Sequence, residues 1–194
     1  MTHPKLYLYK AQNANLVAIL RRGSTKTEWE LIRWELDTDT FTEGQWLTKK
    51  VMNGKYCSLS PNGLYFAYHY DQYKDNGTIF ESHGVVSKLP NFTALYHTAN
   101  FGGNWSALTF TEDNAILLGS WRVDSMEKKG DIDIPFADWE TANRANAGYI
   151  DFEKEPVWQD SKGRLITVEG AKILVDNHVL YDTSDHVFVA KSPI

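Results

Sequence analysis

The sequence predicts an all-β fold made of antiparallel hairpin repeats in one domain that spans residues 1–194. Three observations support this fold class. The chain is rich in aromatic residues, with 7 Trp, 10 Tyr and 9 Phe, which pack well on pleated strands. Short β-rich runs alternate with turn signals along most of the chain. Similar strand-turn-strand units recur at intervals of about fifty residues.

The first third of the chain has the pattern of a β-hairpin followed by a tight turn, with predicted strands at residues 16–21 and 29–36. In the second of these strands, Ile32 and Trp34 fall on the face opposite Leu31. A strand that is apolar on both faces is covered on both faces, so we expect this one to lie inside the molecule.

The clearest local pattern is a hairpin within residues 56–70, whose turn is Ser60-Pro61-Asn62-Gly63. Proline presets φ at the second turn position, and Gly63 supplies the positive φ that the reversal needs. Turns at 111–114 and 160–163 follow at a near-constant spacing, which indicates an internal repeat.

The run from Cys57 to Tyr68 resembles the inner-strand hairpin of WD40-like and TolB-like β-propeller blades, in which a Ser-Pro-Asp-Gly turn joins two strands. Residues 21–23, 31–34, 44–47 and 57–61 together also resemble a family of uncharacterised bacterial proteins. The propeller resemblance implies a small or incomplete β-propeller-like domain. A β-sandwich of similar hairpins and a ring completed by a second copy of the chain are the alternatives, because 194 residues hold at most about four blades.

One segment departs from the β pattern. Residues 135–148 begin with Pro135, contain good helix formers and end at Gly148, which predicts one short helix that covers one edge or end of the sheet. The final segment, from Leu165 to Val189, has the pattern of a meander of short strands.

Charge and composition disfavour several classes of partner. The net charge of -5 and the pI near 5.7 argue against nucleic-acid binding, which needs clustered lysine and arginine. No apolar run approaches the roughly 20 residues that cross a bilayer, and the N-terminus lacks the pattern of a signal peptide, so we expect no membrane association and a cytoplasmic location. The single cysteine, Cys57, lies in an apolar segment and is expected to be a buried, inert thiol.

The sequence carries no recognisable motif for a metal or a cofactor. The six histidines lack the spacings of metal ligands, and the glycine-rich loops of nucleotide sites are absent. His69 with Asp71 and Asp185 with His186 place an acid near an imidazole, but neighbouring side chains on a strand point to opposite faces. We therefore interpret neither as a catalytic pair, and we predict neither catalytic residues nor a cofactor.

An enzyme remains as an alternative because of one pair of acids. On a strand, Asp131 and Asp133 would share a face about 7 Å apart, a separation used by the paired carboxylates of glycoside hydrolases.

Aromatic residues in predicted loops provide the leading functional hypothesis, a non-enzymatic module that binds a protein partner. The candidate partner-binding residues are Tyr70, Tyr73, Phe80, Tyr96 and Phe101. A carbohydrate-binding domain that uses exposed Tyr and Trp side chains is a further alternative.

Overall fold

A computed structural model describes residues 4–73, 79–99, 108–118, 126–137 and 149–192. Within these residues every regular element is a strand except one 3-10 turn, Gly54–Tyr56, so the predicted all-β class is confirmed. The strands are, in chain order, β1 Lys5–Lys10, β2 Leu16–Arg22, β3 Glu28–Glu35, β4 Thr40–Thr48, β5 Val51–Met52, β6 Ser58–Leu59, β7 Tyr65–Tyr73, β8 Ile79–Lys88, β9 Ala94–Ala99, β10 Leu108–Phe110, β11 Ile116–Leu118, β12 Glu127–Lys128, β13 Phe136–Ala137, β14 Tyr149–Ile150, β15 Trp158–Gln159, β16 Leu165–Glu169, β17 Lys172–Val175 and β18 His178–Asp182.

These strands form four sheets, none of which closes on itself. Sheet A has the order β14-β1-β2-β3-β4, and sheet B has the order β12-β9-β8-β7-β5 with β6 also paired to β7. Sheet C has the order β10-β11-β13, and sheet D is the meander β15-β16-β17-β18. All pairings are antiparallel apart from the parallel pair β11 and β13.

The sheets stack face to face in the order D, A, B, C, with one hydrophobic core in each of the three spaces. Alternation along β3 shows how sheet A contributes to two cores. Leu31 packs between sheets A and B, whereas Ile32 and Trp34 pack between sheets A and D. The prediction that this strand is covered on both faces is confirmed.

The three repeated turns have closely similar geometry. In each, the fourth residue donates its N–H to the carbonyl of the first, at 2.8 Å in residues 60–63 and 3.0 Å in residues 111–114 and 160–163. Each turn ends in a residue with positive φ, namely Gly63 at 73°, Asn114 at 67° and Gly163 at 78°. The first two turns also touch, because the Asn114 side chain accepts the N–H of Asn62 at 2.8 Å.

Two secondary-structure predictions need correction. The predicted helix over 135–148 does not begin there, since Phe136–Ala137 is a strand that pairs with β11; residues 138–148 lie outside the described residues. The final meander ends at β18, and residues 187–189 have no regular structure. No helix in the described part of the chain is long and apolar enough to cross a membrane.

An arginine ties sheet D to the turn between β3 and β4. Arg164 donates to both carboxylate oxygens of Asp39, at 2.6 and 3.0 Å, and to Asp160 at 2.7 Å. The hydrogen bond from Arg164 lowers the pKa of Asp39. Because both residues of this bidentate pair are mostly shielded from solvent, the pair contributes more than an ordinary surface ion pair.

The first prediction concerns the positive φ of Gly63. A side chain at Gly63 would strain the backbone at this φ, and its Cβ would lie 3.1 Å from a Leu16 side-chain atom and 3.3 Å from the Cβ of Ala11. Gly170 also has a positive φ, but a Cβ added there would meet no atom within 4 Å. Gly170→Ala should cost about 1 kcal/mol from backbone strain alone, and Gly63→Ala about 1 kcal/mol more from crowding. Urea unfolding of the two variants measures this difference, and equal losses would contradict the assignment.

The second prediction concerns Asp39 and pH. Since the pKa of Asp39 is lowered in the folded state, its contribution to stability is complete at neutral pH and is lost as pH falls through the lowered pKa. Asp39→Asn should therefore destabilise the protein by about 1 to 2 kcal/mol at pH 7, and the difference from the parent should shrink below about pH 4. Asparagine tolerates the positive φ of 54° at this position, which keeps the backbone unchanged.

The control for Asp39→Asn is Glu153→Gln, which removes an exposed carboxylate paired with Lys5 and Lys55. Thermal unfolding between pH 2 and 7 compares the two variants. A larger loss of thermal stability in Glu153→Gln than in Asp39→Asn would show that the Asp39 pair does not tie sheet D to sheet A.

Candidate binding surface on sheet B

The structure brings part of the predicted partner-binding set to one end of sheet B. Tyr70 and Tyr73 lie in β7; Tyr70 is half-buried, and Tyr73 is 46 % exposed. Phe80 lies in β8, but its side chain, like the whole of Phe101, is outside the described residues. Tyr70 and Tyr73 are therefore the members of the set that the structure places at least partly in solvent.

Tyr96 is a core residue, which corrects the prediction that it binds a partner. It is only 3 % exposed and packs in the core between sheets B and C. Its hydroxyl accepts the N–H of Ile134 at 3.0 Å. Because the ring is enclosed by sheet C, it cannot serve as a surface anchor without opening that core.

The acid pair considered for glycoside hydrolysis does not lie on a strand, as the sequence interpretation assumed. Asp131 and Asp133 lie outside any strand and are exposed. Asp133 accepts a hydrogen bond from Lys128 at 2.8 Å, and this bond lowers the pKa of the Asp133 carboxyl. A general acid needs a raised pKa and a shielded site, so this carboxyl has the opposite properties.

Five planar rings run across three strands of sheet B, and we call them the ring stack: Phe66, Tyr68, Tyr70, His83 and His97. Successive ring centroids lie 6.3, 6.4, 4.6 and 5.1 Å apart, with interplanar angles of 24°, 27°, 26° and 26°. Phe66 and Tyr68 are fully buried in the core between sheets A and B, whereas Tyr70 and His97 are partly exposed. The stack therefore leads from the core to solvent.

Strand register explains how the ring stack forms. Every second residue of β7 faces sheet A, which aligns Phe66, Tyr68 and Tyr70 along one face. Tyr70 is directly opposite His83 in β8, and Val85, two residues further along β8, is opposite His97 in β9. Residues that are opposite or diagonal on neighbouring strands share a face, so the two imidazoles continue the row.

Polar groups surround the exposed end of the ring stack. The Lys50 ammonium lies 4.7 Å from the centre of the Tyr70 ring, within the range of a cation–π interaction. His83 contacts Gln72 and Glu81 through Nε2, at 3.1 and 3.2 Å, and His97 through Nδ1, at 3.0 Å. Burial lowers the pKa values of both His83 and Lys50, although Glu81 partly offsets the effect. His83 is therefore a neutral hydrogen-bonding group at neutral pH.

The opposite face of β7 carries His69 and Asp71, which the sequence interpretation placed on different faces. They are two residues apart and share one face, so that interpretation was wrong. Both are almost fully buried, and Asp71 accepts the hydroxyl proton of Ser82 at 2.6 Å. Burial lowers the pKa of His69 to about 4, which keeps its imidazole neutral. These buried groups lie on the opposite face of the sheet from the ring stack.

A second cluster of charged residues joins sheet A to the C-terminal segment. His186 contacts Glu30 through Nδ1 at 2.9 Å and Glu43 through Nε2 at 3.5 Å. These groups are close enough to consider a metal ion, but the two imidazole nitrogens face different carboxylates. Arg21 lies 3.9 Å from Glu30, and Lys191 lies 3.2 Å from Glu43, so these two cations balance the negative charge of the carboxylates. The cluster is therefore an ion-pair network, and burial raises the pKa of Glu30 within it.

This network holds residues 183–192, which we call the C-terminal strap. Arg21, only 2 % exposed, donates to the carbonyl oxygens of Thr183 and His186, both at 3.1 Å. The strap also lines a groove of about 480 Å³, in which Phe188 packs edge-on against Trp46. His186 thus pairs with a residue 156 positions away and not with the neighbouring Asp185, a contact with no local signal in the sequence.

The single thiol is buried, as the sequence predicted. Cys57 is 3 % exposed and packs in the core between sheets A and B. Burial raises its pKa to about 12, so the thiolate is not formed near neutral pH. A thiol in this state is a poor nucleophile.

Comparisons with known proteins give no match. No protein-family model matches the chain, and neither a curated protein nor a solved structure matches it. The resemblance of residues 57–68 to propeller blades stays a prediction.

The third prediction tests the burial of Cys57. A thiol-specific chromogenic reagent at pH 8 should not label the folded protein, because the thiol is enclosed and protonated. In urea it should label one thiol per chain. Cys57→Ser provides the blank, and rapid labelling of the folded protein would contradict the buried position.

Proposed function

We propose that this protein is a non-enzymatic interaction module with a β-propeller-like plan, which binds a protein partner through one end of sheet B. The partner surface consists of Lys50, Tyr70, Gln72 and Glu81 on the side of the ring stack, together with the exposed Tyr73 at the end of β7. The proposal rests on the ring stack. In it the partly exposed Tyr70 ring is held between Tyr68 and His83, and the Lys50 ammonium lies over the Tyr70 ring.

A ring held in this way suits recognition for a thermodynamic reason. Binding normally costs about 0.5 to 1.5 kcal/mol for each side chain that must be immobilised. Tyr70 is already immobilised by its contact with His83, whose ring centre is 4.6 Å away, so most of that cost is met during folding. Tyrosine is also among the residues most often found at the energetic centre of an interface.

The charges around Tyr70 suit the rim of such an interface. Lys50 and the Glu81 side chain, which is 29 % exposed, carry opposite charges near the rings. Rim charges mainly affect the rate of association and the choice of partner. A protein surface with an apolar centre and complementary charges would match this arrangement.

The proposal places the protein in the cytoplasm. Its single cysteine is a free thiol, which is typical of proteins in reducing compartments. Of the alternatives, the hydrolase is disfavoured by the low pKa and exposure of Asp133. The other alternative is that the same rings bind a carbohydrate, and the experiment below distinguishes this from binding of a protein.

The fourth prediction tests the partner surface. Tyr73→Ala should weaken partner binding by about 2 kcal/mol, or roughly 30-fold, because Tyr73 is the exposed aromatic ring of the proposed surface. It should leave thermal stability almost unchanged, because the Tyr73 side chain is 46 % exposed. Lys50→Glu should slow association. Tyr70→Ala is less informative, because Tyr70 also packs against the core.

The matched control is Tyr56→Ala, since Tyr56 is also 46 % exposed but lies on the 3-10 turn. Each immobilised variant is used to capture proteins from a cell extract, and affinities for the captured protein are then measured. The proposal requires that Tyr73→Ala loses a protein that Tyr56→Ala retains. Equal capture by all variants would overturn it, as would turnover of a saccharide that depends on Asp131 and Asp133. Glycan binding lost in the Tyr73 variant would favour the carbohydrate alternative.

A further inference from the structure

Three neighbouring strands of sheet B present metal-binding side chain types on one face. His83 and Glu81 are in β8, His97 is in β9 and Glu127 is in β12. The two histidines are diagonal neighbours, and Glu127 is directly opposite His97. Residues paired in this way project from the same face.

The two imidazoles approach each other through nitrogen atoms. His83 Nδ1 lies 3.0 Å from His97 Nε2. Two nitrogens that bind one ion at about 2.0 to 2.1 Å lie about 2.8 to 3.4 Å apart for square or tetrahedral angles. The observed separation of 3.0 Å lies within this range, and without an ion it is bridged by a hydrogen bond between the two imidazoles.

The other nitrogen of His83 has the partner that metal-binding histidines usually have. Its Nε2 lies 3.2 Å from a carboxylate oxygen of Glu81 and 3.1 Å from the side-chain amide of Gln72. Metal-binding histidines generally donate their second N–H to a carboxylate or carbonyl, which fixes the tautomer and leaves the lone pair on the nitrogen that faces the ion. With the proton on Nε2, the lone pair of His83 is on Nδ1 and faces His97.

We propose that His83 Nδ1 and His97 Nε2 bind one divalent transition-metal ion, Zn²⁺ or Cu²⁺. Imidazole nitrogen is a preferred ligand of both ions, and Cu²⁺ binds such sites more tightly than the other divalent metals of its row. Glu81 is a positioning residue for His83. Glu127 is directly opposite His97 but pairs with Lys129 at 2.5 Å, so we do not assign it as a ligand. His97 is partly exposed, which gives an ion access from solvent. This inference does not rest on the proposed partner, because metal binding is measured on the chain alone.

Calorimetric titration of the purified chain with Zn²⁺ tests the site directly. We expect saturable binding of one ion per chain. His97→Gln should weaken it by more than about 10-fold, and Glu81→Gln, which removes only the positioning carboxylate, by about 10- to 100-fold. His178→Gln, which changes an exposed histidine on sheet D, is the matched control and should bind as the parent does.

Electron paramagnetic resonance with one equivalent of Cu²⁺ identifies the ligands. The parent should show coupling to two imidazole nitrogens, and His97→Gln should show coupling to one. His83 is buried, so circular dichroism checks that His83→Gln folds; if it does not, the half-exposed His97 variant decides the question. The proposal is overturned if the parent binds neither ion saturably, or if His97→Gln binds as tightly as the parent with unchanged nitrogen coupling.

Discussion

The double-sided burial of sheet A is the constraint on which the rest of the structure depends. Alternate residues of β2 enter two cores, with Val17 and Ile19 towards sheet D and Ala18 and Leu20 towards sheet B, and all four are 0 % exposed. Burial of each large aliphatic side chain contributes about 1.5 to 3 kcal/mol, so neither face can stay uncovered. Sheet D must therefore pack against the first sheet of the chain, although it is formed by the last strands.

Charged residues that this stacking encloses need partners, and the C-terminal strap supplies them. Arg21 and Glu30 are 2 % and 1 % exposed and 3.9 Å apart. A buried ion pair gains little free energy over apolar residues, but leaving one member unpaired is costly. Two strap carbonyls accept hydrogen bonds from Arg21, and His186 pairs with Glu30, which positions residues 183–192 across β2, β3 and β4 of sheet A.

The ring stack owes its rigidity to the same layered arrangement. Tyr68 is packed in the core between sheets A and B, and its hydroxyl donates to the carbonyl of Phe92 at 2.7 Å. Because Tyr70 continues this row, its orientation is set by the core and not by a loop. Tyr70, Gln72 and Glu81 of the proposed partner surface lie on this face of sheet B together with the proposed metal ligands, where a well-packed sheet reaches solvent. A binding site on such a framework is held in place before its ligand arrives.

By itself the sequence determined the all-β class, the turns with positive φ such as Gly63, the two-sided burial of β3 and the burial of Cys57. These features follow from local signals, namely the side-chain alternation of strands and the backbone requirements of turns. Only the tertiary structure placed Tyr96 in the core and brought His83 against His97. Those contacts depend on which strands pair and in which register. A slip of one residue would move every side chain of a strand to the other face, so the pattern within a single strand does not reveal its neighbours across the sheet.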